Sequence, residues 1–161
     1  DERGFFARSW CRHEFAAQGL NLDWVQSNIS YNAHSGLIRG LHYQVAPHEE
    51  IKLVRCTQGA VFDVILDLRP DSESYLDWYG VELNQDNHLL LYIPGGFAHG
   101  FQTLRPQSEV FYQMSTEYHP ECARGVRWND PTFGITWPLE ASFLSERDQA
   151  FADWDGPLPV I

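Results

Sequence analysis

Basic residues are scarce in this 161-residue chain: 11 Lys and Arg stand against 22 Asp and Glu, for a formal net charge of −11. That balance excludes general binding of nucleic acid or anionic lipid, which needs a basic face. Any phosphate must therefore be held by a few local arginines. Long apolar runs are missing too. The most apolar stretches, Ala60–Leu66 and Leu89–Pro94, fall far short of the roughly 20 residues that span a bilayer. The opening Asp1-Glu2-Arg3-Gly4 has no basic segment leading into an apolar one, so no signal peptide is expected and the cytoplasm is the expected compartment. Cysteine is sparse. Cys11, Cys56 and Cys122 are an odd number without a close pair, which suits thiols in a reducing compartment better than a disulfide framework or a zinc site. No chemistry is assigned to them. Repeats, low-complexity stretches and Pro/Gly/Ser linkers are also absent, so residues 1–161 read as one domain.

What is present is the material of a packed β domain. Hydrophobic residues make up 43% and aromatics 14%, enough to bury a core without covalent staples. Lys52–Leu68 reads as two strands around Thr57-Gln58-Gly59, a predicted hairpin. A second hairpin is predicted over Tyr79–Pro94 around Asn84–Asn87, and a further strand at Val110–Ser115. Helix is predicted only around Trp10–Gln18 and after Ser145, where Asp148 falls at the third helical position of a capping pattern. Short strands at regular spacing indicate a sandwich or a barrel, and periodicity does not choose between them.

Several residues are candidates for chemistry. Strand alternation puts His42 on the face opposite Arg39 and Leu41; it reads either as a hydrogen-bonded structural histidine or as a base. Lys52 shares a face with Val54 and Cys56. A buried Lys52 needs a partner, and Asp63 across the predicted hairpin is the candidate, its alternative being an edge lysine with a solvent-facing aspartate. Tyr112 is either core or a proton donor. Asp148 is either a capping acid or the carboxylate that orients His42. Pro94-Gly95-Gly96-Phe97-Ala98-His99 fits Pro-x-Gly-x-x-His, the second motif of cupin barrels. The first cupin motif needs two histidines one residue apart, and only His42 is present, so a metal-dependent cupin enzyme is the lesser reading. A noncatalytic ligand-binding module is a further alternative.

The chain as a whole resembles the dTDP-4-dehydrorhamnose 3,5-epimerase family. The resemblance rests on Asp1–Phe6, Gln26-x-Asn28-x-Ser30, Arg39–Gln44, Lys52–Cys56, Tyr92–Phe101, Trp128–Pro131 and Leu144-Ser145-x-x-Asp148. It implies an all-β, cupin-like jelly-roll barrel with short peripheral helices, no metal and no cofactor. It implies His42 as general base paired with Asp148, Tyr112 as acid and Lys52 as the enolate-stabilising cation. Arg3, Gln26, Asn28, Arg39, His99, Tyr118 and Arg147 match positions that hold a dTDP-linked 4-keto-6-deoxysugar, with Arg3 reaching a neighbouring subunit of a homodimer. The implied reaction inverts C3 and C5, with an epimerase of one centre as the alternative. Arg8, Ala123 and Arg147 stand where the family commonly has Glu, Glu and Lys.

Overall fold

The computed structural model describes residues 1–20 and 23–156. In chain order these form α1 (Arg12–Ala17), β1 (Gln26–Asn32), β2 (Ile38–Gln44), β3 (Lys52–Gln58), β4 (Ala60–Asp67), β5 (Trp78–Asn84), β6 (Leu91–Ile93), β7 (Phe97–Thr103), β8 (Ser108–Met114), β9 (Ala123–Gly125) and α2 (Glu146–Gln149). One antiparallel sheet has the order β1-β8-β3-β6 and the other β5-β4-β7-β2-β9. The all-β, jelly-roll expectation holds, with two short helices at the periphery. Among the described residues no ladder joins the two sheets, so they stack as a sandwich and not as a closed barrel. No helix of the described residues is long and apolar enough to cross a membrane.

Both predicted hairpins are corrected by this topology. The strands lie where the pattern puts them, but β3 and β4 belong to different sheets, as do β5 and β6. The tight connection through Gly59, at φ +74°, carries the chain from one layer to the other. The predicted N-terminal helix is shorter than Trp10–Gln18, because Cys11 takes an extended conformation with no side-chain cap.

Two apolar clusters explain the burial pattern. Val54, Cys56, Ile93 and Val110 of one sheet meet Val61, Leu83 and Phe101 of the other, filling the space between the layers. Leu41, Tyr43, Val64, Leu66 and Ala98 form a second cluster with Val126 and Phe133, against which Trp128, Trp137 and Trp154 pack. The five-stranded sheet is thus covered on both faces. A strand buried on both sides reads as a nearly continuous apolar run rather than an alternation, as β4 does. Residues 142–145 run beside the start of β2: Ser142 N–H donates to Gly36 O (2.8 Å) and Ile38 N–H to Phe143 O (3.0 Å). That docking delivers α2 to the mouth of the inter-sheet space.

Candidate active site

At that mouth the apolar lining gives way to polar side chains around a cavity of about 590 Å³, lined among others by Ser30, Arg39, His42, Lys52, His99, Tyr112, Arg147 and Asp148. A smaller hollow of about 230 Å³ shares His42, Lys52, Tyr112 and Arg147 with it and adds Gln26, Tyr118, Ala123 and Arg124. His42 and His99 sit directly opposite each other on β2 and β7, in the five-stranded sheet. Lys52 and Tyr112 come from β3 and β8 of the other sheet, so the cavity has a histidine wall facing a lysine–tyrosine wall.

Arg39 and His42 line the same cavity, although strict alternation separates them. The β2–β7 register shifts by one residue between Arg39 and His42, and a bulge of one residue brings positions three apart onto one face. The strands can approach this closely because both are glycine at the crossing. A Cβ on Gly40, whose φ is +110°, would lie 2.6 Å from His99 O and 2.7 Å from Gly100 Cα, and one on Gly100 would lie 2.6 Å from Arg39 O.

The His42 ring is fixed from two sides. Its Nε2 lies 2.6 Å from Asp148 Oδ1, and the Phe151 ring meets it edge-on at 6.1 Å between centroids. With Nε2–H donating to the carboxylate, the ring lone pair is left on Nδ1. Asp148 is itself held by Gly40 N–H at 3.3 Å, and its own N–H donates to Ser145 Oγ at 3.0 Å. The capping geometry and the orienting role predicted as alternatives for Asp148 therefore coexist. Burial pushes the Asp148 carboxyl up, but the hydrogen bonds and charge of His42, with Gly40 N–H and Ser145, outweigh it and hold the carboxyl below its ordinary range.

The expected Lys52–Asp63 pair does not form. Lys52 Nζ lies 2.6 Å from Glu50 Oε1, both side chains being buried. Asp63, with no exposed surface, lies 2.9 Å from His99 Nε2. The pairing inferred across a hairpin fails because β3 and β4 are in separate sheets. Tyr112 has its hydroxyl pKa pushed up, first by burial and then by the Glu50 carboxylate, with Arg39 opposing. The phenol thus stays protonated and available as an acid. Glu50 and Phe151 are residues at the site that sequence reasoning did not assign, and Asp63, expected beside Lys52, supports His99 instead; Glu50 carried a signal, a carboxylate two residues from Lys52.

Of the remaining candidates, Gln26 and Asn28 project inward from β1, where Gln26 Nε2 donates to Asn28 Oδ1 at 3.1 Å and Asn28 Nδ2 approaches Met114 Sδ at 3.4 Å. Arg147 Nη1 lies 3.5 Å from the Tyr118 hydroxyl. Arg39 Nε donates to Asn32 Oδ1 at 2.8 Å. Arg3 is not brought to the cavity: it is exposed, paired with Asp1, and lines a separate surface hollow with Phe5 and Phe6. Arg39 and Arg147 at the larger cavity and Arg124 at the smaller hollow supply local positive charge in an acidic protein, and guanidinium forks are suited to holding a diphosphate.

The chain is similar to known proteins over almost its whole length. The family model described as dTDP-4-dehydrorhamnose 3,5-epimerase matches residues 1–155. The protein of that name from Escherichia coli is 44% identical over 151 residues, covering 92% of this chain and 81% of that protein. A crystal structure of dTDP-4-dehydrorhamnose 3,5-epimerase from Bacillus anthracis with TDP and PPi bound superposes with a TM-score of 0.93 at 42% identity, covering 96% of this chain and 88% of that one. The dTDP-6-deoxy-D-glucose-3,5-epimerase of Legionella pneumophila, in complex with dTDP-4-keto-L-rhamnose, gives 0.87 at 39% identity over 94% of this chain and 80% of that one. A match of this extent, laid over a cavity with a carboxylate-held histidine on one wall and a half-buried tyrosine on the other, means that the chain belongs to the dTDP-4-dehydrorhamnose 3,5-epimerase family.

Proposed function

We propose that this protein inverts C3 and C5 of dTDP-4-dehydro-6-deoxy-D-glucose, giving dTDP-4-dehydro-L-rhamnose. The observation that carries the reading is the placement of His42 and Tyr112 on opposite sheets, facing one cavity. Both reacting carbons flank the C4 ketone, so losing a proton from either forms an enolate. His42, oriented by Asp148, takes that proton from one face of the sugar. The Lys52 ammonium offsets the negative charge that develops on the C4 oxygen. Tyr112 then returns a proton to the other face, which inverts the centre, and both side chains recover their starting states by exchange with water. Every step uses this chain's own side chains.

Arg39, His99 and Arg147 serve the sugar and the diphosphate, Gln26 and Asn28 the sugar or its nucleotide, and Tyr118 offers a ring to the thymine. The assembly in this reading is a cytoplasmic homodimer in which Arg3 completes the neighbouring subunit's site. In support, the N-terminal segment exposes Phe5 and Phe6, the latter at 97%, and β1, at the edge of its sheet, exposes Ile29 and Tyr31.

Proton NMR of the substrate incubated with the protein in heavy water tests the reaction. Loss of the C3 and C5 proton signals is expected, and His42→Ala should abolish both while leaving dTDP affinity within about twofold. Exchange at a single carbon would replace the reading with that of a one-centre epimerase, and exchange surviving in His42→Ala would remove His42 as the base.

A further inference from the structure

One cluster of ligating side chains lies outside the epimerase cavity and has no part in its chemistry. His48, Glu121 and Cys122 present a ring nitrogen, a carboxylate oxygen and a sulfur that all lie within 4.8 Å of one another. Cys122 is a free, buried thiol, 8% exposed, and its sulfur makes no hydrogen bond among the described residues.

The cluster sits on two turns that the backbone joins. Val45 N–H donates to Cys122 O at 3.0 Å, His48 N–H to Val45 O at 3.1 Å, and Cys122 N–H to His119 O at 3.0 Å. Gln44 adds a clamp: its Nε2 donates to His48 O and to Glu117 O, both at 3.1 Å, while its Oε1 accepts from His119 N–H at 2.6 Å. These contacts hold the two turns together, so binding has only to adjust side chains and does not have to assemble separate flexible loops.

His119 supplies outer support. Its ring stacks on that of His48 at 3.4 Å and 10°, and its Nδ1 lies 3.1 Å from Glu121 Oε1. Nitrogen lone pairs lie in the ring plane, so two face-to-face rings do not converge on one ion, and His119 orients His48 and Glu121 instead of ligating. Outer-shell partners of this kind fix ring and carboxylate orientation at metal sites.

We infer that His48, Glu121 and Cys122 bind one divalent zinc-class ion, with solvent completing the coordination. A mixed N, O, S set suits Zn²⁺. Bonds of about 2.0–2.3 Å require the ligand atoms to draw together by roughly an ångström, which the exposed Glu121 side chain can supply. The ion ties the turn after β2 to the segment leading into β9, next to Tyr118 at the smaller hollow. Its role is structural and is independent of the epimerase reading.

The test is Co²⁺ titrated into the metal-free, full-length protein without an affinity tag. A thiolate-to-cobalt charge-transfer band saturating at one equivalent, and bleached by Zn²⁺, is expected. Cys122→Ser should remove the band and Cys11→Ser should leave it. Absence of the band at one equivalent, or its survival in Cys122→Ser, overturns the proposal. Should Cys122→Ser fail to fold, His48→Ala and Glu121→Gln decide: each is expected to weaken Co²⁺ binding at least about tenfold, and unchanged affinity in both overturns the site.

Discussion

Asp148 connects the fold to the chemistry through one carboxylate. It is buried, yet it titrates below its ordinary range because His42, Gly40 N–H and Ser145 stabilise the charged form. A carboxyl with a folded pKa below its unfolded value of about 3.9 contributes stability that is complete above that value and is lost as pH falls through the folded one. Asp148→Asn is therefore expected to lower unfolding free energy at pH 7 by about 1–3 kcal/mol. In urea titrations the gap from the parent protein should narrow as pH falls below about 4, where the carboxylate becomes protonated. A gap that widened on acidification below about pH 4 would contradict the assignment. Single residues such as His42, Lys52, Tyr112 and Asp148 were legible in the sequence because each is a polar group set in an apolar or capping pattern. Their partners were less so. Lys52 meets Glu50 and not Asp63, since a pairing depends on which strands adjoin, and that is not written in local pattern.

At the level of elements, the β2–β7 crossing decides whether the site exists. Gly40 and Gly100 let the two strands touch, and the bulge beside Gly40 turns Arg39 and His42 toward the same cavity. Gly40→Ala would force a side chain into a left-handed backbone conformation and against His99 O. The expected cost is on the order of 2–4 kcal/mol, read as a drop in thermal midpoint. Turnover per folded molecule should also fall, because Arg39 and His42 no longer share a wall. A variant with unchanged midpoint and turnover would show that the crossing tolerates more than the geometry allows. Strand positions were readable from β-branched and aromatic runs. The hairpins were not, because Thr57-Gln58-Gly59 looks the same whether the chain folds back in one layer or steps into the other.

Across the whole molecule, the uneven surface points to assembly. Edge strand β1 turns Gln26, Asn28 and Ser30 inward and leaves Ile29 and Tyr31 exposed at the rim of the cavity, the reverse of the usual polar-out alternation; Phe5 and Phe6 add to the exposed apolar area. Edges of this kind pair with another chain unless they are charged or covered. Sedimentation should give about twice the 18.6 kDa chain mass, as the proposed homodimer requires, and Ile29→Asp should shift the boundary toward the single chain. An unaltered monomer in both proteins would remove the dimer and with it the role given to Arg3.

The strand order also governs how the molecule comes into being. Among the described residues, β4 and β5 are the only two of nine strands that are both consecutive in the chain and hydrogen-bonded neighbours. β1 waits for β8, and β2 lies between β7 and β9. A ribosome must therefore release most of the polypeptide before either layer can zip up. Folding of such a nonlocal topology belongs to the slow, millisecond-to-second regime. During synthesis β1 emerges long before β8, so the nascent chain carries this strand, with Ile29 and Tyr31, unpaired until most of the polypeptide has been made.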